Sequence, residues 1–266
     1  MRAEALEDAD TRLGLSLRQL LPGWIALCLV AVLAWTVTVT WAGSMGIGAG
    51  TMGLSFGAFL VVWAIMMAAM MFPSVAPMAI VWIRSVAARP NRRARIIGIS
   101  SFLAGYLFAW TVFGAAVYAV LLGAGRLAND SPDAARWAGA AIFVLAGVYQ
   151  LTPLKSACLR HCRTPLGSLF HYASYKGRGR DFRVGTHHGL YCVGCCWGLM
   201  IVLIAVGAMN IPVMVALAGV ILIEKVWRYG RAFSRGIGVA LLVVAGLVPF
   251  IPSLLPGLTM APSPGM

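Results

Sequence analysis

The sequence predicts an all-α, polytopic transmembrane helix bundle of about seven spans with a cytoplasmic N-terminus. Three observations carry that expectation. Of the 266 residues, 61% are hydrophobic and only 11% are charged, against about 25% charged in a soluble domain. Several apolar stretches reach the roughly 20 residues that a bilayer span requires. The basic residues gather in alternate loops between those stretches, which marks a cytoplasmic face.

The spans fall at about 22–42, 56–82, 96–123, 136–153, 185–208, 211–227 and 236–256. With the N-terminus inside, four cytoplasmic segments hold the basic residues: the tail (Arg2, Arg12, Arg18), the second-to-third loop (Arg84 to Arg95), the fourth-to-fifth loop (Lys155 to Arg183) and the sixth-to-seventh loop (Lys225 to Arg235). Every Lys and Arg except Arg126 and Arg136 lies in one of them. The expected organisation is a cytoplasmic tail over 1–20, one membrane domain over 21–257 with a cytoplasmic Cys/His-containing loop at 154–184, and a short external tail at 258–266. The tail over 1–20 lacks the apolar core and small-residue cleavage site of a signal peptide, so the first span is expected to be an uncleaved anchor. The topology turns on Asn210-Ile211-Pro212. If that turn does not break the helix, two spans merge and six remain.

The net charge of +13 follows from these loops and implies contact with lipid headgroups. No basic surface exists apart from them, so no nucleic-acid partner is expected. There is no G-x-x-x-x-G-K-[ST], no G-x-G-x-x-G after a strand and no H-E-x-x-H. No nucleotide and no enzymatic activity are expected. The expected location is a bacterial plasma (inner) membrane, crossed many times.

Polar side chains are scarce in the spans, so candidates for chemistry stand out. The fifth span carries Gly185-Thr-His-His-Gly-Leu-Tyr-Cys-Val-Gly-Cys-Cys-Trp-Gly-Leu-Met200. At 100° per residue, Cys192, Cys195 and Cys196 share an arc of about 100°. His188 lies one turn before Cys192 on the same stripe, and Met200 one turn after Cys196. A single buried cysteine is an ordinary small hydrophobe, and Cys28 in the first span is read that way. Three on one face below a His pair point to metal or redox chemistry.

The second span carries Met66, Met67, Met70, Met71 and Met78 around Pro73. Methionine fills space in any apolar helix, but beside a cysteine face thioether and thiolate together select soft ions, Cu(I) above all. Pro73 is expected to kink the helix. Met70 and Met71 fall at a depth similar to Cys192–Cys196, which lie roughly 10–17 Å into their span.

A third sulfur group, Cys158 and Cys162, has helical i, i+4 spacing with His161 beside it. The surrounding Arg and Lys are expected to hold these thiols down in pKa and favour thiolate. The stretch from Leu166 to Tyr175 is expected to lie in the headgroup plane on Leu166, Leu169 and Phe170, with His171 interfacial. Glu224, next to Lys225, reads as half of an end-of-helix ion pair, with a proton or cation gate as the functional alternative. Tyr149 and Gln150 are polar residues placed to orient a ligand.

Three blocks, Met66-Met-Ala-Ala-Met-Met-Phe-Pro-Ser74, Q-L-T-P-L-K-x-x-C-L-x-x-C-R-x-P at 150–165 and C-x-G-C-C-W-x-L-M at 192–200, resemble the family of predicted metal-binding integral membrane proteins, a domain of unknown function sometimes labelled copper chaperone. The resemblance covers about residues 20–250. It implies metal contacts at Met70, Met71, Cys158, Cys162, Cys192, Cys195 and Cys196.

The leading expectation is a non-enzymatic protein that binds a soft metal, Cu(I), through Cys192, Cys195, Cys196, His188, Met70, Met71, Cys158 and Cys162. It would pass the ion between donor and acceptor proteins. Two other classes stay open: a membrane thiol-disulfide oxidoreductase using Cys192-x-x-Cys195, and a structural assembly subunit. Haem is not expected, because intramembrane His appears only at 187 and 188 and there is no C-x-x-C-H. Retinal is excluded by the lack of Lys over 236–255. Zinc is less favoured because Met serves it poorly.

Overall fold

The computed structural model describes residues 17–43, 45, 50–87, 89–164, 172, 174–251 and 255–258. The tails at 1–16 and 259–266 lie outside the described residues, as do Leu166, Leu169, Phe170 and His171. Among the described residues the chain forms eight α-helices and no strand: α1 (Leu17–Ala42), α2 (Phe56–Ala87), α3 (Arg92–Asp130), α4 (Pro132–Leu151), α5 (Pro153–Arg163), α6 (Arg180–Val206), α7 (Ile211–Val226) and α8 (Gly230–Leu247). A 3-10 turn, Pro256–Leu258, follows.

Six helices, α1 to α4, α6 and α8, are long and apolar enough to cross a membrane. That count agrees with the expected bundle of about seven spans, six possible, and the difference lies in α7. α7 is apolar but has 16 residues, about 24 Å at 1.5 Å per residue, short of the ~30 Å hydrocarbon core. The Asn210 turn does break the chain as expected. Gly207 takes φ 108°, a value that suits glycine. The Asn210 side chain then caps α7 by accepting from Val213 N at 3.3 Å, and Pro212 sits in the first turn, where its missing N–H costs nothing. Lys225 near the end of α7 meets Cys192 in the middle of α6, so α7 runs back antiparallel to α6.

α2 is the central helix. In its span 67% of the residues are buried, against 22% in α1 and in α8, which places those two at the periphery. A helix apolar on every side belongs inside, and α2 is one: Trp63, Met66, Met67, Met70, Met71 and Trp82 are all fully buried. It continues unbroken through Pro73 and Pro77.

α3 and α6 pack in parallel at very close range. A Cβ at Gly105 would strike the Phe182 carbonyl oxygen, and one at Gly185 the Phe102 carbonyl oxygen. One at Gly189 would come 2.9 Å from the Tyr106 carbonyl oxygen. Small residues permit such backbone approach.

The long helices also run past the ends expected from hydropathy. Arg is a good helix former, so the basic segments at Arg84, Arg92–Arg95 and Arg180–Arg183 continue helices rather than forming loops. Between α2 and α3, Arg89 grips Asp181 in the first turn of α6 with two hydrogen bonds, of 2.9 and 2.7 Å.

Candidate metal centre

The site is built where α5 inserts its sulfurs against α6. Thr152 caps α5 by accepting from Lys155 N at 3.2 Å, and Pro153 occupies its first position. The segment expected as a loop at 154–184 thus begins with a packed helix. Lys155, Cys158 and Cys162 are spaced i, i+3, i+7, which is one helix face.

Cys192, Cys195 and Cys196 are fully buried and their Sγ atoms all lie within 4.8 Å of one another. Cys195 and Cys196 are 3.3 Å apart. Cys162 reaches Cys195 at 3.8 Å. Cys158 fills the space beside Gly194, where a Cβ would lie 3.1 Å from its Sγ. Cys162 of α5 therefore adjoins the α6 trio, while Cys158 packs beside Gly194.

Two lysines that sequence reasoning counted as loop charges are buried in the cluster. Lys155, 1% exposed, donates to the Cys195 carbonyl at 2.5 Å and pairs with Glu224 at 2.7 Å. Gln150 Nε2 donates to the other Glu224 oxygen at 2.9 Å, and Ser234 donates to Gln150 at 3.2 Å. The expected Glu224–Lys225 pair is thus corrected, because the neighbours point apart. Lys225 donates instead to Ser74 Oγ and to Cys192 Sγ, both at 3.0 Å. Tyr106 OH also meets Cys192 Sγ, at 2.9 Å. Tyr149 OH donates to the Gly194 carbonyl, which fixes the turn of α6 between the cysteines. Tyr149 and Gln150 do line the site; Ser74, Tyr106, Lys155 and Lys225 were missed. The i, i+3, i+7 spacing of Lys155 with the two cysteines was the available signal for that residue. Tyr106 offered none.

The pKa expectation for the α5 thiols is overturned at Cys158. Burial pushes this thiol up from its ordinary value, and Lys155 pulls it back only in part. The basic side chains nearby are engaged elsewhere: Lys155 with Glu224, and Arg163 with the carbonyls of Glu224 and Trp227 at 3.0 and 2.7 Å.

His188 is 2% exposed and its Nδ1 has no hydrogen-bond partner among the described residues. It lies between the rings of Tyr106 and His161, at 6.3 and 6.0 Å. His161 stacks on Tyr191 at 3.8 Å and bonds Tyr172 OH at 2.9 Å. Met71 reaches the site through Ser74, whose hydroxyl donates to the Met71 carbonyl at 2.9 Å and lies 4.0 Å from its sulfur. Met70 is buried in the same core. Cys28 is exposed and lines a groove between α1, α2 and α7 with Pro73 and Val226.

Convergent buried thiols suit a soft monovalent ion. Fold and site together define an all-α protein with span-length apolar helices around a buried thiol cluster able to hold a metal. The chain matches the family model described as "Copper chaperone" (PpoB2) over residues 60–248 and belongs to that family. No curated protein and no solved structure matches it.

Proposed function

We propose that the protein is a non-enzymatic, multi-pass membrane carrier of Cu(I) that delivers the ion to an acceptor protein, such as a copper enzyme during assembly. The observation that carries this reading is the buried trio Cys192, Cys195 and Cys196 with all sulfurs within 4.8 Å, in a chain of the copper-chaperone family. Cys158 and Cys162 receive the ion at the cytoplasmic face, with His161 and His188 beside the entry. Cys162, 3.8 Å from Cys195, exchanges it into the trio thiolate by thiolate. Met71 stands behind the site as a soft neighbour. Membership of the family supports copper over other soft ions, and the span-length helices support a membrane setting.

The test is elemental analysis of the reduced, detergent-purified chain beside the Cys192→Ser, Cys195→Ser, Cys196→Ser triple variant. The expected result is about one copper per chain or more, lost in the variant. Equal metal in both sinks the reading.

A further inference from the structure

Lys225 does something that a simple sulfur trap does not need. The residue is 6% exposed, and its ammonium is held by Ser74 Oγ and Cys192 Sγ, each at 3.0 Å. Among the described residues no carboxylate pairs with it, since Glu224 is committed to Lys155. An ammonium has donors and no acceptor, so the Cys192 sulfur is the acceptor in this contact. The Tyr106 hydroxyl approaches the same sulfur from α3 at 2.9 Å. A buried charge persists only when it is paired, and the Cys192 thiolate is the anion at hand.

We propose that Lys225 is a built-in counter-cation that sets the charge of the cargo complex at −1, and with it the cargo: one monovalent soft ion, Cu(I), on two thiolates, one of them Cys192. This rests on the Cu(I) reading above and specifies its stoichiometry. The charges decide it. Lys155 and Glu224 cancel, which leaves the single positive charge of Lys225. Cu(I) on two thiolates carries −1, and the buried site is then neutral. Cu(I) on three thiolates carries −2 and leaves one negative charge uncompensated in a dry interior, where that is costly. Zinc favours four ligands, and four thiolates on a divalent ion again carry −2.

Loading balances without electron transfer. The ion leaves its donor's ligand and forms two Cu–S bonds, to the Cys192 thiolate and to Cys195 or Cys196. The S–H bond of the second cysteine breaks and its proton leaves to a solvent base. Lys225 keeps its charge throughout and moves from partner of a thiolate to partner of the copper dithiolate. Without it, the loaded site would hold a bare anion.

The experiment is an anaerobic Cu(I) titration of the full chain in detergent against a chromogenic Cu(I) chelator, with X-ray absorption on the loaded protein. Wild type is expected to bind one Cu(I) through two sulfurs. Lys225→Met is expected to bind at least tenfold more weakly, a change of about 1.4 kcal/mol. Lys225→Arg, which keeps the charge, is expected to stay within about threefold of wild type. Three or more sulfurs on the wild-type copper overturn the proposal even if the Met variant fails to fold. Unchanged affinity in Lys225→Met, or equal loss in the Met and Arg variants, also overturns it and leaves Cu(I) binding itself standing. No Cu(I) on the wild type overturns the counter-cation and the carrier reading together.

Discussion

Removing one member of the Lys155–Glu224 pair leaves the other as an unpaired buried charge. Both side chains are 1% exposed and their charged atoms are 2.7 Å apart. Breaking such a pair costs about 3–5 kcal/mol, whereas replacing both partners by apolar residues of similar volume is often close to neutral. The structure adjusts that second figure. Lys155 also satisfies the Cys195 carbonyl, and Glu224 also satisfies Gln150 Nε2. The double variant therefore leaves an acceptor and a donor unmet, each at about 1–3 kcal/mol. Lys155→Met and Glu224→Met are expected to destabilise by about 3–5 kcal/mol each, and the double variant by roughly 2–6 kcal/mol rather than by their sum of about 6–10 kcal/mol. Reversible unfolding of the metal-free chain in mixed micelles measures this as a double-mutant cycle. Strictly additive losses, or single variants within about 0.5 kcal/mol of wild type, would refute the reasoning, because the pair would then not be closed to water.

Two further tests probe the packing and the sulfur face. Gly185→Ala is expected to destabilise by about 3 kcal/mol, at the top of the usual overpacking range, because its Cβ meets the Phe102 backbone rather than a movable side chain. Gly123→Ala, in α3 with open space around it, is expected to gain up to about 1 kcal/mol from helix propensity; equal effects at the two sites would refute the close contact. Burial raises the Cys158 pKa, so at neutral pH this thiol carries less thiolate than an ordinary cysteine and reacts more slowly with iodoacetamide. Its rate is expected to keep climbing with pH where a free thiol has levelled off, and Lys155→Met is expected to push that rise further upward; a profile that levels near pH 8.5 refutes it.

The elements easiest to read in the sequence were those fixed by a single helix. Bilayer length and the distribution of Arg and Lys located the span-length helices, and 100° per residue put Cys192, Cys195 and Cys196 on one face. Helix ends were less legible, because Arg92 to Arg95 favour helix as much as they mark a loop. Contacts between helices were not legible at all. Nothing in the sequence brings Cys162 to Cys195 or Tyr106 to Cys192; the second contact depends on backbone approach at Gly105, Gly185 and Gly189, whose partners lie far along the chain. The charge count that oriented the bundle also hid Lys155 and Lys225, because it treats every lysine as a solvated loop charge.

The short seventh apolar segment places Lys225 at the site and brings Glu224 to Lys155. A helix long enough to cross the bilayer would carry its terminal charges to the headgroups. α7 starts late, after the Gly207 turn and the Asn210 cap, and stops at Val226. Its last turn therefore lies beside the middle of α6 rather than beyond its end. Glu224 and Lys225 then point to opposite sides of one helix end, the first toward α5 and the second toward Ser74 and Cys192. One residue more or fewer between Asn210 and Glu224 would rotate both by about 100° and shift them by about 1.5 Å, which separates each from its partner. The length of α7 thus sets where Glu224 and Lys225 meet the sulfur site.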